Sequence, residues 1–520
     1  MENSTFNIDD YNDSNVWDLI CEGQTKGVFQ LESQLGRSWA KRVQPRSIEE
    51  LAALISLIRP GCLKAFTEGK SMTQHYVDRK AGIDEVKYLH ESLEPILKET
   101  YGVLVYQEQS MKIAQQLAGF DLKEADSLRK AIGKKKAGLM NQIKGSFIQG
   151  AISVGGLEKE AAEEIFGWIE KSNRYAFNKS HAVSYAVNAY RSAYCKVHRK
   201  MEFFEAYLGH ADRKPDPHTE VRELVSDAKL YDIEVMPPRL GKFFNNFTIS
   251  DEKIYFGVNN VKGVGSSETV KLLDAIPELE EKLEKPFTHF SWCDVLFNLG
   301  ARINKTSMES LINVGAFNGT KNRMHRNQML YEYKSYKDLS ARERSWLEEN
   351  YDPTHTFVES LDNMINNLKI TSRRLVKVFD LRNVVESPPF ELNDHPEQIA
   401  DLEIKFLGTA LSYSKTDAVE SSLVNSTCKE IAQGKTGSVN LAVHINALRE
   451  YKTKNGKNPG QIMAFMSVED STACLDSAIV FPDAYEENKQ LLYEGNTVIV
   501  MGQVSKKKDT SLIINKVSQA

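Results

Sequence analysis

The sequence predicts a multidomain protein that is mainly α-helical through most of its length and forms an all-β barrel at its C terminus. Three observations predict this fold class. Apolar residues recur every three or four positions between about 45 and 210, small-residue turns follow, and the apolar period changes to two from about 437. At 520 residues the chain is also too long for one hydrophobic core, so roughly three or four domains are expected.

The composition is that of an ordinary globular protein, with 41% hydrophobic and 26% charged residues. Because the formal net charge is −5, any contact with nucleic acid has to come from local basic patches. The six cysteines occur singly without a C-x-x-C pair, which argues against a zinc site or a disulfide framework. With no long apolar run and no signal-peptide pattern, the sequence predicts a cytoplasmic protein, in the host cytoplasm if the source is a virus.

The helical region follows a lead-in of about 40 residues that gives no sign of a complete domain. Apolar residues from Ile48 to Ile58 form one face of a helix, which ends at Arg59-Pro60-Gly61. Further helices are predicted at about 105–118, 121–132, 158–171 and 181–208, the last of them capped by Ser180.

The C-terminal part contains five short runs with an apolar period of two, separated by turn-forming pairs such as Asn455-Gly456. A helical pattern at 482–492 stands between the third and fourth runs. Five strands with a helix in this place predict a small closed barrel of the OB type, a fold that commonly binds single-stranded nucleic acid. The predicted strands are 439–448, 461–468, 474–481, 497–504 and 512–517.

A basic cluster lies in the block LRKAIGKKK at 128–136. No acidic residue occurs between Asp126 and Glu158, so a pattern of helical ion pairs is not expected to account for the cluster. Gly133 is expected to break the helix and to place the lysines at a bend. The alternative is a solvated helix face, which is the usual form of a charge run. The cationic residues from 129 to 144 are Arg129, Lys130, Lys134, Lys135, Lys136 and Lys144.

A second candidate segment is RYAFNKSH at 174–181. Lys179 is suited to binding phosphate, Tyr175 to stacking on a base, and His181 to contacting a sugar or a phosphate oxygen. A ring stacks on any base, so base identity would be left to a template. The alternative is an ordinary loop with a core tyrosine and a surface lysine.

A third candidate is the turn that contains Lys262, Gly263 and Gly265, interpreted as a hairpin between two short helices. Its small residues let backbone amides approach phosphates closely, a contact that is indifferent to base sequence. The alternative is a capped helix start after a glycine turn. The sequence has no D-x-D triplet, no HExxH, no Walker loop and no G-x-S-x-G, so it offers no obvious metal-binding carboxylate pair, ATPase site or serine hydrolase site.

These segments, in this order, resemble the C-terminal half of bacterial C-family polymerases, the DNA polymerase III alpha subunits. The resemblance is spread over nearly the whole chain and is weak only between about 318 and 400. It rests on GVFQLES at 27–33, LIRPG at 57–61, YGVLVYQEQ at 101–109, the blocks at 128–136 and 177–181, and residues 257–265.

The resemblance implies a lead-in at 1–30, a fingers domain at 31–235, a tandem helix-hairpin-helix region at 236–318, a helical connecting arm at 319–400 and an OB domain at 401–520. It implies that the triphosphate of an incoming deoxynucleotide is bound by Arg129, Lys130, Lys134 and Lys179, and that Tyr175 and His181 lie near its base and sugar. It further implies that the DNA backbone is contacted by Lys262, Gly263 and Gly265.

In the family, the palm domain that carries the catalytic carboxylates precedes the GVFQLES block, and only about 25 residues stand before that block here. The leading hypothesis is therefore the fingers-to-OB part of a split polymerase. A partner chain would supply the palm with its Mg²⁺, and this chain alone would bind deoxynucleoside triphosphate (dNTP) and primer-template DNA without joining them. The alternatives are a non-catalytic DNA-binding accessory protein of the replication fork, derived from a polymerase fragment, and a truncated chain.

A sliding clamp is a further partner that the family suggests. The nearest candidate for a clamp-binding motif is the segment Gln328-Met329-Leu330-Tyr331, which lacks the expected aromatic ending.

Overall fold

The computed structural model describes residues 6–134, 137–172, 176–319, 324–453, 459–505 and 511–520, with the backbone alone at 132–134, 137–140, 505 and 511. The chain divides into two compact units, Met1–Lys200 and Met201–Ala520. None of the helices in these ranges is long and apolar enough to cross a membrane.

The first unit is helical apart from two short strands, β1 (Phe66–Thr67) and β2 (Lys70–Ser71), which pair in antiparallel fashion. Its helices are α1 (Ser14–Cys21), α2 (Gln34–Val43), α3 (Ile48–Leu57), α4 (Pro60–Lys64), α5 (Met72–Lys80), α6 (Glu94–Leu97), α7 (Gln107–Ala118), α8 (Leu122–Lys134), α9 (Ala137–Ser153), α10 (Lys159–Ser172) and α11 (Lys179–His198).

Two hydrophobic cores organise this unit. One joins α1, α2, α3 and α11, and in it the rings of Trp17 and Tyr190 lie 4.7 Å apart. The predicted lead-in is thus part of this core, because Val16 and Ile20 of α1 are fully buried in it. The other core lies among α7, α8, α9 and α10 around Phe147.

Helices α7, α8 and α10 agree with the predicted 105–118, 121–132 and 158–171 to within two residues. The predicted break at Gly133 is wrong, because α8 continues through it to Lys134. Glycine in a helix is about 1 kcal/mol less favourable than alanine, and a helix can tolerate this cost at a single position.

The predicted helix at 181–208 needs two corrections. It begins at Lys179 and is capped by Asn178, whose Oδ1 accepts from the His181 amide at 2.9 Å, whereas the Ser180 hydroxyl donates to that same oxygen. It ends at His198, because Arg199 has the non-helical angles φ −139° and ψ 54°, with neither glycine nor proline at the break.

The second unit contains most of the strands. Val235–Met236 (β3), Thr248–Ser250 (β4) and Lys253–Tyr255 (β5) form a small sheet in which β5 is central, parallel to β3 and antiparallel to β4. The helices from the unit boundary onward are α12 (Lys200–Gly209), α13 (Pro217–Leu230), α14 (Ser266–Leu283), α15 (Trp292–Leu299), α16 (Lys305–Asn313), α17 (Arg326–Lys337), α18 (Ala341–Asn350), α19 (Phe357–Asn367), α20 (Ser372–Glu386), α21 (Pro396–Leu407), α22 (Cys428–Ala432) and α23 (Pro482–Asn488).

The C-terminal strands form a closed barrel, which confirms the predicted OB-type fold. The strands are β6 (Gly437–Lys452), β7 (Ile462–Glu469), β8 (Cys474–Val480), β9 (Thr497–Ser505) and β10 (Ser511–Gln519). Their order around the barrel is β6-β7-β8-β10-β9, closed by pairing of β9 with β6, and only β8 and β10 run parallel. Helix α23 stands between the third and fourth strands, as predicted. Alternate side chains such as Val439, Leu441 and Val443 fill the interior.

Candidate phosphate-binding sites

The start of α11 is hydrogen-bonded to the start of α7. Phe177 pairs with Tyr106 in a parallel β-bridge: its backbone N–H donates to the Val105 carbonyl at 3.0 Å, and its carbonyl accepts from the Gln107 amide at 2.9 Å. Two blocks that the sequence analysis singled out, at 101–109 and 177–181, are therefore held together by their backbones.

The first backbone amides of α11 are occupied by side chains. The Glu108 carboxylate accepts from the Lys179 amide at 2.9 Å and from Asn178 Nδ2 at 2.7 Å. The Asn178 side chain in turn accepts from the His181 amide. The amides of Lys179 and His181 are therefore already bonded within the protein.

The candidate phosphate-binding residue Lys179 is ion-paired with Glu99. Its Nζ lies 2.7 and 2.8 Å from the two carboxylate oxygens, and about a third of each side chain is exposed. The Tyr106 ring centroid is 5.7 Å from the same nitrogen. The acid that neutralises Lys179 comes from a position 80 residues earlier in the chain. Glu99 therefore competes with a phosphate for Lys179.

The cations at the start of the basic cluster share a carboxylate on their own helix. Asp126 is 2.7 Å from Arg129 Nη2 and 2.6 Å from Lys130 Nζ, at i,i+3 and i,i+4 spacing. Hydrogen bonds from Lys130, and then from Arg129, lower the pKa of Asp126 below its usual value. The expectation that helical ion pairs play no part in the cluster is therefore wrong for these two residues.

The candidate nucleotide-binding residues fall into two groups, both adjacent to α7. Lys179 and His181 share the first turn of α11, which is bonded to the start of α7, and Arg129 and Lys130 lie on α8, which packs against α7. The side chain of Lys134 and the whole of Tyr175 fall outside the described residues. The assignment of all six to one nucleotide site stays a prediction.

His181 belongs to a row of rings. Its exposed imidazole lies 5.3 Å from the Phe177 ring and 4.0 Å from Tyr185, one turn further along α11. Tyr185 in turn contacts Phe29, which is 39% exposed, at 5.2 Å. Clustered rings of this kind are typical of surfaces on which bases stack, and the position of His181 near a nucleotide stays a prediction.

Sequence reasoning missed Arg59. Its guanidinium carbon lies 3.7 Å from the centroid of the Phe177 ring. The signal was present in the LIRPG block, but Arg59-Pro60-Gly61 was interpreted only as the end of a helix. The LIRPG block does not predict that Arg59 contacts Phe177, because the two residues are far apart in the sequence.

The candidate DNA-binding turn lies between a 3-10 turn, Val258–Asn260, and the 18-residue helix α14, so the predicted hairpin between two short helices is corrected to this form. Lys262, Gly263 and Gly265 are all exposed. The Lys262 amide donates to the Phe406 carbonyl at 2.9 Å, whereas the amides of Gly263 and Gly265 have no protein acceptor within the described ranges. Two exposed amides beside a lysine suit an anion.

A second hairpin, between α15 and α16, is attached to the first. The Asn304 amide donates to Glu268 of α14 at 2.8 Å, and the Ser307 hydroxyl donates to the Gly263 carbonyl at 3.0 Å. Asn304 also caps α16, and Lys305 beside it is exposed. The sequence analysis named only the first hairpin. The polar capping residue between apolar helices was the signal for the second.

The OB barrel exposes two aromatic rings on neighbouring strands. Tyr451 on β6 and Phe465 on β7 are 41% and 42% exposed, with ring centroids 6.4 Å apart. Arg449 faces Phe465 across the strand pair and is exposed as well. This combination of rings and positive charge is typical of surfaces that bind single strands.

The candidate clamp-binding segment lies inside α17. Met329 is fully buried, and Gln328 Nε2 donates to Glu332 at 3.0 Å. A segment folded into a helix with its methionine in the core is not presented as a free peptide. This placement argues against the clamp-motif interpretation.

No group of three or more His, Cys, Asp or Glu side chains suited to a metal ion occurs among the residues that the structure describes. The side chains of this part of the chain do not fit the Mg²⁺ of phosphoryl transfer, which needs clustered carboxylates.

Comparison with known protein families gives two matches in separate parts of the chain. Residues 2–155 match the finger domain of the bacterial DNA polymerase III alpha subunit. Residues 232–329 match the helix-hairpin-helix motif, in agreement with the region predicted at 236–318. The two matches stand in the order that the sequence blocks predict.

Comparison with individual proteins extends the similarity to nearly the whole chain. The DNA polymerase III subunit alpha of Aquifex aeolicus is 35% identical over 96% of this chain, and those of Staphylococcus epidermidis and Borreliella burgdorferi are 30% identical over 97% and 98%. The chain spans only 38%, 42% and 41% of these relatives, respectively. The matched part is the C-terminal portion of each.

Proposed function

The chain is homologous to the C-terminal portion of bacterial DNA polymerase III alpha subunits, and we propose that it forms the fingers-to-OB part of a DNA-directed DNA polymerase. The observation that carries the proposal is the similarity to these polymerase subunits over 96% of the chain, across the finger match and the helix-hairpin-helix match alike. The proposed place of action is the cytoplasm, or the host cytoplasm for a viral source.

In this proposal the first unit binds the incoming dNTP. Lys179 leaves Glu99 and gives its charge to a phosphate, while the exposed His181 ring contacts the sugar or base. Arg129 and Lys130 exchange Asp126 for phosphate oxygens in the same way. Lys134 adds a further charge and Tyr175 stacks on the base. The bonding of α11 to α7 supports this role, because it holds Lys179 and His181 on a fixed turn.

The second unit binds primer-template DNA in this proposal. The amides of Gly263 and Gly265, with Lys262, contact backbone phosphates without regard to sequence. The barrel surface around Tyr451 and Phe465 takes the single-stranded template. If about five phosphates are neutralised, the logarithm of DNA affinity falls with the logarithm of salt at a slope of roughly −4 to −5. A slope near zero removes duplex binding from the proposal.

We assign the catalytic carboxylates and their Mg²⁺ to a palm on a partner chain. Mg²⁺ supplies charge stabilisation for in-line phosphoryl transfer when it is bound. The test is primer extension by the purified chain alone and with candidate palm chains from the same genome. Extension only in the presence of a palm chain is expected. Robust extension by the purified chain alone contradicts the proposal.

A second candidate function is a non-catalytic DNA-binding accessory protein of the replication fork. The observation that favours it is that Lys179, Arg129 and Lys130 already have carboxylate partners, whereas Lys262 has none in the described part of the chain. Under this function the protein binds DNA with the same salt dependence but has no use for a triphosphate. Nucleotide titration of the Lys179→Ala variant separates the two functions.

A further inference from the structure

Arg59 is held at a fixed place between two helices. Helix α3 ends at Leu57, and α4 begins at Pro60. A residue before proline is restricted to extended angles, and Arg59 has φ −102° and ψ 150°. Its half-buried side chain therefore leaves the backbone in a direction that the local sequence determines.

The guanidinium group of Arg59 lies on a ring that the protein also fixes. The 3.7 Å separation from the Phe177 centroid is that of a cation stacked on the ring face. Phe177 is held by the two backbone hydrogen bonds of its bridge with Tyr106. The residues that follow Phe177 lead directly into the first turn of α11, where Lys179 and His181 are.

Stacking leaves the hydrogen-bonding edge of Arg59 available. A guanidinium carries five N–H donors in its plane, and a ring that contacts its face uses none of them. Across the described ranges Arg59 makes no side-chain hydrogen bond and no ion pair. In this it differs from Arg129, Lys130 and Lys179, which are each paired with a carboxylate.

We propose that Arg59 is a phosphate-binding residue, oriented by Phe177 so that its N–H donors face the ligand of the α11 turn. The ligand chemistry is a phosphate oxyanion, supplied by a free triphosphate or by the backbone of DNA. Because Arg59 has no carboxylate partner among the described residues, it can bind the phosphate without an exchange of partners, in contrast to Lys179 with Glu99. This inference rests on the proposed function and adds to it a residue that binds phosphate without first giving up a carboxylate partner.

The test uses the full chain and two kinds of ligand. Dissociation constants are measured for inorganic tripolyphosphate and a dNTP by calorimetry, and for a short duplex and a single strand by fluorescence anisotropy. Arg59→Ala is expected to weaken binding of tripolyphosphate and dNTP by about tenfold or more, the loss typical of a charge-assisted hydrogen bond. Arg59→Lys keeps the positive charge but not the planar set of guanidinium N–H donors, so a smaller loss of affinity is expected.

The chain offers a matched control in Arg42, whose guanidinium carbon lies 3.8 Å from the Trp39 ring centroid in the same unit. Arg42→Ala removes a stacked arginine whose guanidinium already donates to Gln74, and it is expected to leave all four constants unchanged. Weaker DNA binding by Arg59→Ala, with unchanged triphosphate binding, supports the phosphate site and assigns its ligand to the DNA backbone.

The proposal is overturned if Arg59→Ala and Arg59→Lys lower only the melting temperature and change none of the four constants, because Arg59 then serves only packing on Phe177. Failure of the proposed function has a different signature. If the wild-type chain binds no triphosphate, the nucleotide half of that function fails, and Arg59 is judged on DNA binding alone.

Discussion

In the first unit, three of the cations predicted to meet a triphosphate are paired with carboxylates, Lys179 with Glu99 and both Arg129 and Lys130 with Asp126. In the helix-hairpin-helix region, Lys262 has no such partner among the described residues, and two exposed glycine amides stand beside it. In the first arrangement a phosphate competes with a carboxylate for each cation. The second offers unoccupied donors to phosphate directly.

The difference indicates how the two regions would discriminate between ligands. An exchange favours a ligand that carries several negative charges on adjacent groups, because one phosphate has little advantage over the carboxylate it replaces. Unoccupied backbone donors accept any phosphate that comes close enough, as a duplex backbone requires. The pairing in the first unit is therefore compatible with selective nucleotide binding, and the open hairpin with sequence-independent DNA binding.

The largest expected effect is a difference between the two units in how the free energy of unfolding depends on pH. Burial raises the pKa of Glu332 on α17 from 4.5 to about 7. Hydrogen bonds from Gln328 and Trp292 lower the pKa, but their effect is smaller than that of burial. The folded state therefore holds a proton that the unfolded state releases. Glu332 by itself is expected to lower the free energy of unfolding of the second unit by about 3 kcal/mol as pH rises from 4.5 to 7, whereas His444, whose pKa burial lowers from 6.5 to about 4, acts in the opposite direction. Hydrogen exchange of amides in α15 and α17 at pH 5 and pH 8 measures this.

The first unit is expected to behave differently over the same pH range. Burial raises the pKa of Glu50, but hydrogen bonds from Lys80, Arg46 and Tyr101 outweigh it and hold the pKa below 4.5. The stability that Glu50 contributes is present above pH 4.5 and is lost only as the pH falls below that value. Glu332→Gln should remove the share of the pH dependence that Glu332 contributes to the second unit, and Glu349→Gln, at an exposed position, should leave that share intact. An unaltered dependence in Glu332→Gln contradicts the assignment.

The next effect concerns the hairpin. Gly263 has φ +92°, and a Cβ there would lie 2.6 Å from Ser310 Oγ. Gly263→Ala is expected to destabilise the region by about 1–2 kcal/mol for the backbone conformation alone. Thermal unfolding and DNA anisotropy measure the change, and we expect both stability and DNA affinity to fall.

The Gly265→Ala variant tests the contact between this turn and DNA without the backbone strain expected in Gly263→Ala. Gly265 has φ −86°, and a Cβ there meets nothing within 4 Å. The melting temperature should fall less than in Gly263→Ala, by the cost of alanine at the N-cap of α14, while DNA affinity falls about threefold or more, because a methyl group keeps a phosphate from the amide. If Gly265→Ala binds DNA like the wild type, this turn is not the duplex contact.

The smallest effect tests the exchange at Lys179. Glu99→Gln removes the carboxylate that competes with a phosphate for Lys179. Exposed ion pairs are worth about 0.2–1 kcal/mol, so triphosphate affinity should rise by up to about fivefold. Glu91→Gln, at an exposed site nearby in the sequence, provides the control. Weaker triphosphate binding by Glu99→Gln shows that Glu99 supports the site and does not compete for it.

The features that sequence analysis predicted well are those specified by local patterns. Each barrel strand and α23 was predicted within a few residues, except that β6 extends to Lys452, because alternation and turn residues act over short distances. The helix cap needed correction by two residues, since Ser180 and Asn178 are both suitable cap types and only the structure distinguishes them.

The features that sequence analysis missed depend on contacts between distant residues. A search for acids near Lys179 in sequence does not find Glu99, which is 80 positions away. The same holds for Arg59 and Phe177, which meet only because α3 and α11 pack together. The pairing of Asp126 with Arg129 and Lys130 is local. The acid-free stretch begins only after Asp126, and Asp126 itself stands three and four positions before its two partners.

The measurement that tests the central claim most directly is titration of a dNTP into the full chain, as wild type, Lys179→Ala and Lys112→Ala. Lys112 is an exposed lysine of α7 and serves as the control for loss of one positive charge. We predict saturable binding by the wild type, a dissociation constant about tenfold higher for Lys179→Ala, and no change for Lys112→Ala. Equal binding by all three proteins, or no binding by the wild type, contradicts a nucleotide site in the fingers and leaves the DNA-binding accessory function.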